Sequence, residues 1–348
     1  MSSSSASERS ASALDVAALP WSSEQLETSN PELETLKRHV AEGLRRPQKT
    51  LSSMYFYDDE GSRLFQLIMA LPEYYPTRTE FKLFTQHQSA LATALRPAVA
   101  QEPFFLLELG AGDGLKTKIL LRHLLDTEAD FTYVPVDISG AALDGLAASL
   151  RDELPALRVE PIVADYSEAL RLMAARPGRK VVLFLGSNIG NFLPADRLTF
   201  LRNLAAPLSL NDRLLIGFDL QKDPRIIRAA YDDAQGVTAA FNLNLLKRLN
   251  RDLGADFDLA HWQHYTDYDP LAGTVRSFLV SSRAQAVHVT ALNQTFPFAA
   301  WETIHTENSY KFTGPQIKAL AAEAELSVTE FFTDEQDYFA DVVLRPLQ

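Results

Sequence analysis

Cysteine is absent from this sequence, and that single absence removes disulfides, thiolate nucleophiles, iron–sulfur clusters and cysteine-ligated zinc together. It fits a reducing cytoplasm. Basic residues are also outnumbered, 33 Lys and Arg against 45 Asp and Glu, for a formal charge of −12. A field of that sign repels polyanions, so a nucleic-acid partner is disfavoured. No apolar run approaches the roughly 18 residues a spanning helix needs, and Met1–Ser12 is serine-rich without the apolar stretch of a signal peptide. The sequence reads as a soluble cytoplasmic monomer with no membrane partner and a disordered tail over residues 1–22. Three motifs are missing as well. There is no internal repeat, no HExxH, and no Walker GxxxxGK[ST], since Lys116-Thr117 follows Gly114 without the upstream glycine spacing. His261 and His264 fall in a strand-like run where they would face opposite sides, so no metal site is expected.

What is present is a change of pattern along 348 residues, enough chain to bury a large core. Asn30-Pro31 followed by Leu33, Leu36, Val40 and Leu44 predicts a capped amphipathic helix. An aromatic-rich stretch from Tyr55 to Tyr75 follows. Thr77-Arg78-Thr79-Glu80 has capping-box spacing, and Phe81, Phe84, Leu91 and Leu95 then carry a helix toward Pro97.

Beyond Pro103 short apolar runs alternate with helical ones, the signature of βα units around a parallel sheet. Strands are expected at Phe104–Leu109, Thr132–Asp137, Arg158–Val163, Lys180–Leu185 and Arg213–Phe218. Helices are expected to start near Leu115, Ser139, Ser167 and Pro194. After a helix opened by Thr313-Gly314-Pro315, Leu326–Phe332 and Tyr338–Leu344 read as two further strands, a hairpin typical of class I methyltransferases.

The alternation stops between Asp219 and Lys311. Helices at Pro224–Tyr231 and Val237–Leu253 and strands at Phe257–Tyr265 and Thr274–Ser281 read as an inserted subdomain. The predicted fold is therefore α/β: a doubly wound, Rossmann-like sheet of the kind class I methyltransferases use, with a second, smaller α+β cap expected to bind substrate. The cap takes residues 23–78 and 221–310, and the sheet takes 79–220 and 311–348.

A buried strand, Phe104–Leu109, runs into Gly110-Ala111-Gly112-Asp113-Gly114, a glycine loop that lets backbone approach a ligand closely. The same segment also fits an ordinary tight strand-to-helix turn. Two acids favour the ligand. Asp137 ends the next strand 23 residues after Gly114, near the roughly 20-residue offset at which an acid reaches a ribose diol. Asp165 ends the third strand, where S-adenosylmethionine enzymes place a polar residue against the adenine amino group. Either acid alone would also serve as a helix N-cap.

Several motifs together resemble the histidine-specific methyltransferase family, the hercynine-forming enzymes of ergothioneine biosynthesis. They include Phe56-Tyr57-Asp58, Leu71-Pro72-Glu73-Tyr74-Tyr75-Pro76-Thr77-Arg78, Gly110-Ala111-Gly112 with Lys116-Thr117, Gly190-Asn191, Tyr231-Asp232, Phe241-Asn242 and Glu307-Asn308-Ser309-Tyr310-Lys311-Phe312. They run in order over residues 50 to 345.

The resemblance implies S-adenosylmethionine as methyl donor and a free amino acid as the small-molecule partner. It assigns Asn191 and Tyr231 to the amino acid's amino and carboxylate ends. Tyr57 and Tyr74 would line the amine pocket, and Glu307 and Ser309 would grip an imidazole ring. Cofactor roles pass to Glu108, Gly110, Gly112, Lys116, Asp137, Asp165 and Tyr166. Tyr57, Tyr74 and Asn191 would lie at the reacting atoms. Ser277 departs from the pattern, standing where bacterial family members carry methionine against the ring. The implied reaction is methylation of the α-amine of histidine, with methylation of tryptophan or a related aromatic amino acid as the alternative and noncatalytic cofactor binding as a second.

Overall fold

A computed structural model describes residues 31–96 and 102–347; the tail expected over residues 1–22 and the Asn30 cap lie outside the described residues. Pro31 opens helix α1 (Pro31–Leu44), on which Leu36, Val40 and Leu44 fall on one buried stripe. Strand β1 (Lys49–Thr50) follows, and Asp58 then caps α2 (Asp59–Ala70) by accepting from the Gly61 amide.

Helix α3 (Tyr75–Leu95) corrects the capping box read at Thr77–Glu80. It starts two residues earlier, with Pro76 in its first turn, where the ring presets the helical φ. Glu80 is fully buried instead of turning back on the helix end, because it binds Lys116 and the Gly186 amide across the fold.

The βα units then follow: β2 (Phe104–Leu109), α4 (Thr117–Asp126), β3 (Phe131–Asp137), α5 (Gly140–Glu153), β4 (Arg158–Val159), β5 (Ile162–Val163), α6 (Tyr166–Ala175), β6 (Arg179–Phe184), α7 (Pro194–Ala205) and β7 (Arg213–Asp219). The run expected as one strand at 158–163 is broken into β4 and β5, both paired with β3, because Pro161 has no amide to give the ladder.

The insertion holds α8 (Pro224–Tyr231), α9 (Val237–Leu253), β8 (Trp262–Asp269), β9 (Thr274–Ser281), β10 (Gln285–Val289), β11 (Gln294–Phe298) and β12 (Thr303–Tyr310). Strand β8 begins at Trp262, not Phe257, since Asp258 caps a short 3-10 turn first. Thr313 then forms a complete capping box on α10 (Gly314–Glu323), and β13 (Leu326–Thr333) and β14 (Phe339–Pro346) close the chain.

The large sheet runs β13-β14-β7-β6-β2-β3-β4, with β5 also on β3. Only the terminal hairpin is antiparallel, as β14 pairs antiparallel with both β7 and β13. Alternate residues feed two cores. Leu107, Val182 and Ile216 face α6, α7 and α10, while Leu106, Val181 and Leu215 face α3, α4 and α5.

The cap sheet, β1-β12-β9-β8, shares a third core with α1, α2 and α9, so the N-terminal helices and the insertion form one body. Its strand β12 runs into the end of β7: Phe312 donates to Asp219 O at 2.9 Å and Gln221 donates to Phe312 O at 2.8 Å. The cap is thereby fixed over the carboxyl edge of the large sheet, where doubly wound folds bind ligands. No helix among the described residues is long and apolar enough to cross a membrane.

Candidate active site

At the end of β2 the Gly110 and Ala111 amides both donate to Val136 O, which clamps the glycine loop against β3. Gly110 has φ +74, and a Cβ there would lie 3.1 Å from Tyr166 Oη and 3.8 Å from Asn188 Nδ2. A Cβ at Gly186 would lie 3.7 Å from both Lys116 Nζ and Asn188 Nδ2. Gly110, Lys116, Tyr166, Gly186 and Asn188 therefore surround one space that two glycines keep open.

Asp137 borders the loop, its two oxygens accepting from Gly112 N at 3.1 Å and Ser139 N at 3.0 Å. Each oxygen keeps a lone pair, so the carboxylate can still accept a diol. Asp165 is exposed and caps α6 by accepting from Glu168 N at 2.8 Å, and among the described residues its second oxygen has no hydrogen-bond donor, which suits it to an amino group. Tyr166 stands edge-on to Phe184 at 5.3 Å, and burial raises its phenol, which stays protonated. A glycine-lined cradle, a diol acceptor and a neutral phenol suit a nucleoside thioether. Lys116, which borders this space at Gly186, is bound to Glu80.

Glu108, expected at the cofactor, is instead directed inward. It is buried, accepting from Thr117 Oγ1 at 2.6 Å and from Tyr133, and burial raises its carboxyl to about 7. It braces the loop from behind, since alternation along β2 puts Glu108 on the same face as Leu106, toward Thr117 on α4.

Replacing Asp137 with alanine should weaken S-adenosylhomocysteine binding roughly 10- to 100-fold, the value of one charge-assisted hydrogen bond. Calorimetry on the folded variant checks this, and an unchanged Kd would remove Asp137 from the cofactor.

A second cavity adjoins the first through Gly186 and Asn188. Its sheet side includes Asn191 and Asp219, and its cap side includes Tyr57, Tyr74, Tyr231 and Glu307. A 3-10 turn, Asn188–Asn191, positions the two asparagines. Ser187 anchors that turn, in the left-handed region at φ +58, by accepting from Asp219 N at 2.9 Å. Asn191 is exposed at the mouth, and among the described residues no hydrogen bond engages its amide.

The aromatic wall is continuous. Tyr57 lies 5.6 Å from Phe65 and 5.7 Å from Phe241, Phe65 lies 6.1 Å from Tyr74, and Tyr74 lies 6.3 Å from Tyr231. Desolvation raises Tyr74 and Tyr231 well above the ordinary phenol range, so they remain neutral, while Tyr57 is 39% exposed at the rim.

Glu307 projects from β12 beside an irregularity between His305 and Glu307. Burial raises its carboxyl to about 7, against the opposing pull of Lys311. Among the described residues no side chain donates a hydrogen bond to it. Ser277 is the cross-strand partner of Glu307, yet the structure places it behind the cavity wall: it is buried, and its hydroxyl meets Thr266 Oγ1 at 3.2 Å.

Ser309 is brought to Tyr231, with Oγ and Oη 2.9 Å apart. Behind this pair lies a charged network that the sequence reading missed. Asp219, Lys222 and Lys311 are buried together, and Tyr75 Oη donates to the Asp219 carboxylate at 2.8 Å. Burial alone would raise the Asp219 carboxyl, but Lys311 and Lys222 outweigh it and hold it below its ordinary value. Burial lowers Lys222 to about 8 despite Asp219. The only local signals were an acid ending the fifth strand and a lysine two residues after Ser309.

The profile of the family described as "Histidine-specific methyltransferase, SAM-dependent" matches residues 36–346. The chain is 40% identical over 301 residues to a protein of Mycolicibacterium smegmatis named histidine N-alpha-methyltransferase, covering 86% of this chain and 92% of that one. It is 38% identical over 304 residues to the protein of the same name from Mycobacterium tuberculosis, covering 87% and 92%. To ergothioneine biosynthesis protein 1 of Schizosaccharomyces pombe it is 28% identical over 314 residues, covering 88% of this chain and 40% of that one.

Proposed function

We propose that this chain, which belongs to the family of histidine-specific, S-adenosylmethionine-dependent methyltransferases, methylates the α-amine of free L-histidine as far as the trimethylbetaine. The observation that carries this reading is Glu307, a carboxyl facing an aromatic-walled cavity with no donor of its own among the described residues. An imidazole N–H is the donor such a site lacks, and an indole needs a carboxylate less.

Bound S-adenosylmethionine would supply a methyl already activated as a sulfonium: the neutral amine takes it as the carbon–sulfur bond breaks and S-adenosylhomocysteine leaves, with a proton lost after each of the first two transfers and none after the third. The protein's work is orientation and exclusion of water. Asn191 and Tyr231 would hold the amino-acid head, and neither an amide nor a neutral phenol competes as a nucleophile. Tyr57 and Tyr74 present ring faces and neutral hydroxyls to the amine, a surface that tolerates a nitrogen becoming quaternary. Glu307 fixes the ring tautomer, with Ser309 beside it. Gly110, Gly112, Lys116, Asp137, Asp165 and Tyr166 would hold the nucleoside and methionine parts of the donor.

In this reading the described parts of residues 23–78 and 221–310 form the substrate cap and those of residues 79–220 and 311–348 the cofactor unit; residues 23–30, 97–101 and 348 lie outside the described residues. The division falls within α3, whose first turn gives Pro76 to the cavity. The reading keeps the monomeric enzyme expected from the sequence. The absence of cysteine supports a cytoplasmic one.

Release of S-adenosylhomocysteine should be measured with each of the twenty amino acids, with product mass read by spectrometry. Turnover with histidine well above all others, and a mass gain of three methyl groups, is the expected result. Preference for tryptophan would transfer the reading to an indole substrate. Tight cofactor binding without turnover on any amino acid would leave a noncatalytic binder.

A further inference from the structure

Lys311 is fully enclosed, its side chain 0% exposed. Its ammonium has three hydrogens and three partners: Tyr231 Oη at 2.7 Å, Ser309 Oγ at 2.8 Å and Asp219 Oδ2 at 2.8 Å. An ammonium only donates, so both hydroxyl oxygens accept from Lys311. Those oxygens lie 2.9 Å apart, so one hydroxyl donates to the other. One hydroxyl hydrogen is then left without a partner in the network, and both residues line the cavity. The pair thus turns a hydrogen toward the cavity's occupant.

The same ammonium is held in place by charge: Asp219 pairs with both Lys222 and Lys311, so Lys311 is fixed beneath the two hydroxyls, while Glu307 acts on Lys311 and Asp334 on Lys222 without an ion pair. Glu307 lies on the same strand but is not hydrogen-bonded into the cluster among the described residues. An anionic group on the substrate is the complement to this corner.

We propose that Lys311 is a positioning residue that makes Tyr231 and Ser309 a reader of the substrate's α-carboxylate, so that the enzyme accepts free amino acids and rejects the corresponding amines. The inference rests on the amino-acid methylation reading above. Ser309, which the family resemblance gives to the ring, then also serves the carboxylate end. Lys311 touches neither substrate nor donor; it fixes the hydroxyls that do.

The test is binding of histidine and of histamine, its decarboxylated counterpart, to the S-adenosylhomocysteine complex by calorimetry, together with kcat/KM for both, in the wild type and in K311M and K222M. The wild type should favour histidine by about 10- to 150-fold, the value of a hydrogen bond to a charged group. In K311M that ratio should fall to within about threefold, through loss of histidine affinity with histamine nearly unchanged. K222M removes a charge from the same carboxylate without touching Tyr231 and should keep most of the ratio.

Equal weakening of both ligands in K311M would reduce Lys311 to a structural residue, and an equal collapse in K222M would reduce the effect to bulk charge. Either overturns the proposal, as does a wild type that binds both ligands alike. Should K311M not fold, D219N/K311M removes the acid together with its partner and carries the same expectation. A wild type inactive on histidine but active on tryptophan counts against the substrate reading alone, and the tryptophan–tryptamine pair then tests Lys311 in the same way.

Discussion

Replacing Glu307 with alanine should raise the KM for histidine about 5- to 150-fold, because a charged acceptor that the bound ring would cover is deleted and the ring donor is left unpaired. Activity on tryptophan should fall little or rise, since the same change enlarges the cavity and removes a group an indole must otherwise desolvate. Steady-state kinetics on both amino acids separates the cases. Selective loss on histidine supports the imidazole reading, selective loss on tryptophan supports the indole one, and no change on either removes Glu307 from the site.

The carboxyl also sets a pH signature. Burial holds it at about 7 in the folded protein, above its ordinary 4.5. The folded state therefore binds the proton more tightly, and the group's contribution to stability is present at pH below 4.5 and lost as pH rises through about 7. Histidine affinity should move the opposite way, rising through the same region as the acceptor ionises. Glu307→Gln should abolish both trends while keeping the limb that belongs to the substrate's own amine. A wild-type profile matching that of Glu307→Gln near pH 7 would contradict the assignment.

Replacing Gly190 with alanine should lower kcat on the order of 100-fold, as expected when reacting groups shift by about 1 Å. A Cβ there would lie 2.7 Å from Tyr310 O and 3.2 Å from Tyr310 N, and these are backbone atoms of β12 that cannot rotate aside. The Asn188–Asn191 turn must move instead. It is braced from the other side: Arg197 donates to Ile189 O at 3.2 Å and Phe192 O at 2.9 Å and stacks over Tyr310 at 4.5 Å. The displacement would carry Asn188 at the donor cleft and Asn191 at the amine end together. Wild-type kcat in a folded G190A protein would show that the turn does not position the reaction.

The large sheet and its ligand edge were legible because burial writes itself into short-range pattern. Runs such as Phe104–Leu109 and Arg213–Phe218 are apolar on both faces, and Asp137 and Asp165 stand at strand ends where chain order alone puts them on one edge. The start of α10 was legible for the same reason, since Thr313-Gly314-Pro315 opens it within three residues. Strand β12 was not legible. Its Thr306, Glu307, Asn308 and Ser309 are all polar, so the apolar alternation that marks a strand is missing from Thr303–Tyr310. The β10–β11 hairpin did carry a signal, with Val287 and Val289 alternating before Phe296 and Phe298.

The sequence by itself determined the α/β sheet, its carboxyl-edge acids and the identity of the motif residues. Tertiary structure alone decided which of those side chains reach the cavity. Glu108 turns inward because strand alternation points it at Thr117, Glu80 leaves its helix end for Lys116, and Ser277 sits behind the wall with Thr266. It also assembled the Asp219, Lys222 and Lys311 cluster, joining Tyr75 to a carboxylate 144 residues away. Periodicity records which face of an element is buried, since that depends on near neighbours. It does not record which buried charge meets which, because those pairs form only when distant elements pack and desolvate them together.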